Sequence, residues 1–100
     1  MKDEIAKDIE NNTVILYMKG NKEIPMCGYS ARVVDILKQY GVEFATRNVL
    51  DSEELREQIK LFSDWPTLPQ LYINKEFIGG CDIVMKLHES GKLKELLSCE

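Results

Sequence analysis

Four adjacent residues, Cys27-Gly28-Tyr29-Ser30, carry the most reactive chemistry in the sequence. A thiolate is both a nucleophile and a soft metal ligand, and a C-x-x-C pair adds a second sulfur that can close a disulfide and release whatever the first has attacked. Here the second position is Ser30, whose unactivated hydroxyl cannot attack a mixed disulfide at neutral pH. Cys27 is either a small buried filler or a functional sulfur, and its setting, a loop containing Gly, Asn, Lys and Pro that opens a helix, favours function. A sulfur there faces unpaired N–H groups and the positive end of the helix dipole, both of which favour the thiolate. Gly28 leaves the approach to the sulfur open or is only a tolerant loop residue. Tyr29 either covers the thiolate or packs on the surface. Ser30 either donates a hydrogen bond to the sulfur or caps the helix, and capping is the reading taken.

Elements must hold these residues in place. Asp3 to Asn11 reads as a charged helix with Ile5 and Ile9 on one face, and Thr13 to Met18 as a strand rich in β-branched and aromatic residues. Ser30 to Tyr40 places Val33, Ile36, Leu37 and Tyr40 at helical spacing, with Gly41 as a stop. Glu43 to Val49 reads as a second strand, and Asp51 with Glu54 as a capping pair for a helix through Phe62. A turn with Pro66 and Pro69 leads to two short strands, Gln70 to Asn74 and Glu76 to Ile78. Gly79-Gly80 then turns into a helical region from Asp82 to Ser98, broken at Gly91. This order, a βαβ unit, a helix, a hairpin and a final helical region, implies an α/β fold with a four-stranded mixed sheet flanked by helices on both faces. A C-x-x-C-like site after the first strand of such a unit is where thioredoxin-like redox chemistry sits.

The totals exclude several alternatives. No linker, repeat or low-complexity tract divides the chain, so residues 1–100 are expected to form one domain. A net charge of -4 without a basic cluster excludes a nucleic-acid partner. The longest apolar run, Val14 to Met18, is far below the ~20 residues of a membrane span, and the start of the chain is dense in charge, unlike a signal peptide. The three cysteines, Cys27, Cys81 and Cys99, are an odd number with no dense framework, which points to a reducing compartment. The expectation is a soluble, unexported, cytoplasmic protein.

Three separated motifs, "YMKGNKEIPMCGYS", "SDWPTLPQLYI" and "GGCDIV", resemble the monothiol glutaredoxins of the single-domain kind, whose hallmark is a CGFS site. The resemblance runs from Lys19 to about Leu97, with Tyr29 where the family usually has Phe. It implies a thioredoxin fold that binds glutathione and, as a homodimer, holds a 2Fe-2S cluster. Lys19 and Arg56 match positions that hold the glycine carboxylate of glutathione. Leu68-Pro69 matches a cis-proline site that presents the Leu68 backbone to the cysteinyl part. Cys81 and Asp82 match the γ-glutamyl end, with Asp82 facing the α-amine and helix N–H groups the carboxylate. Asp82 also reads as a helix N-cap, and both roles can hold at once.

Other readings remain bland. Trp65 and Pro66 either form a binding ledge or pack the turn, and Thr67 is equally open. Cys81 either resolves a glutathionylated Cys27 or is a small buried residue, the latter being preferred. Lys60 and His88 read as surface residues, and Cys99, near the chain end, as incidentally exposed.

Clusters of this type want four ligands, normally thiolates. The resemblance implies that two chains each supply Cys27 and one bound glutathione thiolate. The function so implied is a cluster carrier between iron-sulfur assembly machinery and apo-protein recipients, with BolA-like proteins as further partners. The "KGNKEIPM" loop belongs to that class in the resemblance. The alternative is an enzyme, a glutathione-dependent thiol-disulfide oxidoreductase that removes glutathione from protein mixed disulfides through Cys27.

Overall fold

The computed structural model describes residues 2–98, so the expectation for Cys99 lies outside the described residues. Helix α1 (Lys2–Asn11) buries Ile5 and Ile9, which its i, i+4 spacing puts on one face. Strand β1 (Val14–Met18) is buried along its whole length. Its side chains alternate between two layers, Val14, Leu16 and Met18 on one side and Ile15 and Tyr17 on the other. A five-residue apolar run without polar alternation therefore marks a strand covered on both faces.

Helix α2 (Gly28–Gln39) follows immediately after Cys27. Strand β2 (Ala45–Asn48) is shorter than the expected Glu43 to Val49. At its start the Phe44 carbonyl accepts a hydrogen bond from Lys22 Nζ, and at its end Val49 enters a 3-10 turn, Val49–Asp51. That turn also corrects the expected cap of α3 (Glu53–Ser63). Asp51 lies within the turn, and Ser52 is the N-cap, its Oγ accepting the Leu55 N–H at 3.1 Å. Strands β3 (Gln70–Ile73) and β4 (Glu76–Gly79) are joined by Asn74 and Lys75, both at positive φ, as a two-residue hairpin turn requires. Helix α4 (Cys81–Ser90) starts one residue before the expected Asp82, so Gly80 is its N-cap and Asp82 is not. Gly91, at φ 82, ends α4 and separates it from α5 (Lys92–Ser98).

The sheet order is β2-β1-β3-β4, with β1 parallel to β2 and the other pairs antiparallel. Val33, Val34 and Leu37 of α2, Val84 of α4 and Leu93 of α5 pack on one face of the sheet. Ile5 and Ile9 of α1 and Ile59 of α3 pack on the other with Ile15, Tyr17 and Tyr72. This is the mixed, two-faced sheet of the thioredoxin fold. Arg47 on β2 makes a bidentate pair with Asp8 on α1, at 2.9 and 3.0 Å.

The two kinds of contact differ in weight. Truncating the fully buried Ile59 to Ala is expected to cost about 2–5 kcal/mol of unfolding free energy. Asp8→Ala removes a pair whose side chains are 37% and 35% exposed, and is expected to cost at most about 1 kcal/mol. Urea denaturation of both variants checks the ranking.

Candidate functional site

The thiol is held by the loop that precedes it. Gly20 has φ 90, and a Cβ there would lie 2.6 Å from Met26 N and nearer still to the Ile24 carbonyl oxygen, so only glycine fits. Across that tight point the Met26 N–H donates to the Lys19 carbonyl at 2.9 Å, and Gly20 bridges to Pro25. Asn21 Oδ1 accepts the N–H groups of Glu23 and Ile24 at 3.0 and 2.8 Å. The loop is also tied outward. The Gly20 N–H donates to Asn48 Oδ1 at 2.9 Å, Lys22 Nζ to the Phe44 carbonyl at 2.7 Å, and Lys38 Nζ to the Lys22 carbonyl at 3.1 Å. On this braced loop and the first turn of α2, Ile24, Met26 and Tyr29 stand 64–65% exposed around the thiol.

Cys27 is the N-cap residue of α2, with no side chain capping the helix. The Ser30 N–H bonds the sulfur and is the main reason that the Cys27 thiol is held below the ordinary cysteine range. Burial opposes it, and the Tyr29 N–H, the Lys19 charge and the Ser30 hydroxyl reinforce it. Capping is therefore not the role of Ser30. Fully buried inside the first turn, its Oγ accepts the Lys19 N–H at 3.2 Å. One serine joins the end of β1 to the start of α2.

Cys27 opens into a cleft of about 510 Å³, which Lys19, Leu68, Cys81 and Asp82 also line. Five of the expected residues are thus brought together. Pro69 is buried behind Leu68, and the Leu68-Pro69 bond is cis. Arg56 does not line the cleft. It is half-buried on α3, with Nε enclosed and unpartnered among the described residues. Trp65 and Thr67 do line it, and the Trp65 ring packs on Phe77 with centroids 5.6 Å apart, so ledge and packing coexist. Gly80 lets α4 approach that ledge, since a Cβ there would sit 3.3 Å from both Pro69 O and Trp65 Nε1. His88 is not a plain surface residue, because its Nδ1 pairs with the Tyr40 hydroxyl across α2 and α4.

Sequence reading missed Gln70, taken only as the first residue of a strand. Gln70 is fully buried, and its Nε2 donates to the carbonyls of Trp65 and Thr67, each at 3.1 Å. It staples the ledge to β3. The available signal was an uncharged amide at the head of an otherwise apolar strand, where burial demands a hydrogen-bonding job.

The second thiol behaves oppositely. Cys81 is 8% exposed, and burial, with the Asp82 charge, pushes its thiol up. No group of three or more His, Cys, Asp or Glu that could hold a metal occurs among the described residues. One chain therefore offers this cleft an activated thiol and, among the described residues, no complete ligand set of those types.

Two outcomes follow from this geometry. The pH of half-maximal alkylation at Cys27 is expected below that of an unperturbed cysteine, because a lowered pKa keeps the thiolate populated as pH falls. Ser30→Ala should move it upward, and Cys81 should react only at higher pH; mass-resolved iodoacetamide labelling across pH measures all three. Gln70→Leu strips two part-buried carbonyls of their donor and is expected to cost about 1–3 kcal/mol, with faster amide exchange confined to Trp65 and its neighbours through Leu68.

Known proteins with the same features supply the family. The Glutaredoxin family model matches residues 14–78. A probable monothiol glutaredoxin 2 of Rickettsia conorii is 57% identical over 93 residues, covering 93% of this chain and 87% of that protein. The solution structure of reduced poplar apo GrxS14 superposes with a TM-score of 0.84 at 47% identity, covering 94% of this chain and 86% of that one. A buckwheat glutaredoxin–glutathione complex superposes with a TM-score of 0.86 at 25% identity, covering 97% and 86%. With a single activated thiol where a dithiol would stand, and with these relatives, the chain belongs to the glutaredoxin family and to its monothiol kind.

Proposed function

We propose that this chain binds glutathione in the cleft beside Cys27 and, as a homodimer, carries a 2Fe-2S cluster as cargo from assembly machinery to apo-proteins, with BolA-like proteins as alternative partners. The observation that carries the reading is the chemistry at Cys27, an activated sulfur with Ser30 in place of a neighbouring thiol. A C-x-x-C partner would compete with iron by closing a disulfide, whereas a buried serine leaves the sulfur available. Four thiolate ligands are then met by Cys27 from each of two chains and one glutathione on each.

The cleft suits glutathione in charge. Lys19 supplies a cation for a carboxylate, Asp82 an anion for the α-amine, and the N–H groups at the start of α4 a second carboxylate site. Leu68 faces the cleft beside the cis bond, where its backbone can pair with the cysteinyl part. The buckwheat relative is described as a glutathione complex. Arg56, outside the cleft lining, is not needed for this assignment. A cytoplasmic site of action is part of the proposal.

Anaerobic reconstitution with iron, sulfide and glutathione tests it. The wild type is expected to gain visible absorption and a dimeric mass in native conditions, and Cys27→Ser to gain neither. A wild type that stays colourless and monomeric sinks the reading.

The lowered Cys27 pKa also favours a second reading, deglutathionylation. The thiolate would attack the glutathione sulfur of a mixed disulfide and release the protein thiol, and a second glutathione would then reduce Cys27 and leave as glutathione disulfide. Robust turnover that survives chelation, with no cluster formed, would favour this enzyme.

A further inference from the structure

A side recess of about 380 Å³ shares Cys27, Tyr29, Cys81 and Asp82 with the main cleft and adds Met85. Cys81 and Met85 stand one turn apart on α4, on the same face, and their sulfurs are 3.8 Å from each other. Two sulfurs bound to one metal at about 2.3 Å, with an angle of about 109–120° between them, would be about 3.8–4.0 Å apart. The Cys81 thiol donates a hydrogen bond to the Met85 thioether at this spacing, and a metal replacing that proton would find both sulfurs within reach. Cys27, the N-cap residue of the facing helix, opens into the same recess.

We propose that Cys27, Cys81 and Met85 form a binding site for monovalent copper. Two thiolates and a thioether are a soft, low-coordinate donor set, which suits Cu(I) and poorly suits metals that want imidazole or carboxylate. Binding displaces to solvent whatever protons the two thiols carry and moves no electron, so the metal remains Cu(I) with a net charge of -1 on the three-sulfur complex. The N-termini of α2 and α4 both begin at this recess and favour that excess negative charge. Arg32, which also lines it, does the same, against the opposing charge of Asp82. Copper here occupies Cys27 and so excludes the cluster proposed above from the same chain. The copper site itself requires neither cluster nor glutathione.

The test offers Cu(I) alone, as its bathocuproine-disulfonate complex, to the reduced apo-protein under anaerobic conditions. A Cys99→Ser background removes the remaining thiol. One Cu(I) per chain is expected, with a sulfur-only shell in X-ray absorption. Cys27→Ser, Cys81→Ser and Met85→Leu should each weaken binding about tenfold or more. Met85→Leu nearly conserves volume, so it reports on the donor even if a serine at position 81 disturbs packing. Failure of the protein to take copper from the chelator overturns the proposal, and so does unchanged affinity in Met85→Leu. Because no iron or glutathione is present, either result leaves the carrier reading to its own experiment.

Discussion

Two pairings at one end of β1 set the whole site, Tyr17 with Gln70 and Met18 with Asn48. The first places the Gln70 amide beneath the ledge, where it holds the carbonyls of Trp65 and Thr67. The second places the Asn48 amide where it accepts the Gly20 N–H, and the same oxygen accepts the Leu50 N–H that starts the next turn. Lys19 follows Met18 directly, so the thiol loop, the ledge and the lead into α3 all radiate from neighbouring strand ends. A slip of one residue would exchange the two faces of a strand. It is opposed here by both layers at once, because Leu16 and Tyr17 are each fully buried on opposite sides of β1.

The two described thiols show that a helix N-terminus does not by itself decide reactivity. Cys27 precedes α2 and Cys81 begins α4, yet their acidities move in opposite directions. At Cys27 the backbone N–H of Ser30 points at a half-exposed sulfur and outweighs desolvation. At Cys81 the sulfur is enclosed and lies beside a carboxylate, so burial prevails. One cleft therefore contains one thiol held below the ordinary cysteine range and another pushed above it.

Much of this was legible in the sequence because it rests on local periodicity. The buried strand, the helix after the thiol, the hairpin and the break at Gly91 all follow from spacing and turn residues. What was not legible depends on how the folded backbone orients the partners, near or distant in the chain. Ser30 reads locally as a cap, and only the arrival of Lys19 shows that its hydroxyl spans two elements. Asp51 and Ser52 are adjacent residues of equal capping ability, and the 3-10 turn that chooses between them is fixed by Asn48. Gln70 is marked in the sequence only as an amide heading an apolar strand, and the fold of the preceding turn supplies its two acceptors. Arg56 matches the motif by sequence position, yet α3 carries it outside the cleft lining.

The braced loop has a consequence for association. Gly20, Asn21, Lys22 and Lys38 hold its backbone through contacts within the chain, so the rim around the thiol exists before anything binds. A partner that covers Cys27 meets a preformed surface, and little of its binding energy is lost to ordering a segment on arrival. Selectivity then rests with the side chains displayed there, Ile24, Met26 and Tyr29, which are free of core packing. Such a rim can change its preferred partners by substitution at those three positions while the fold beneath remains as it is.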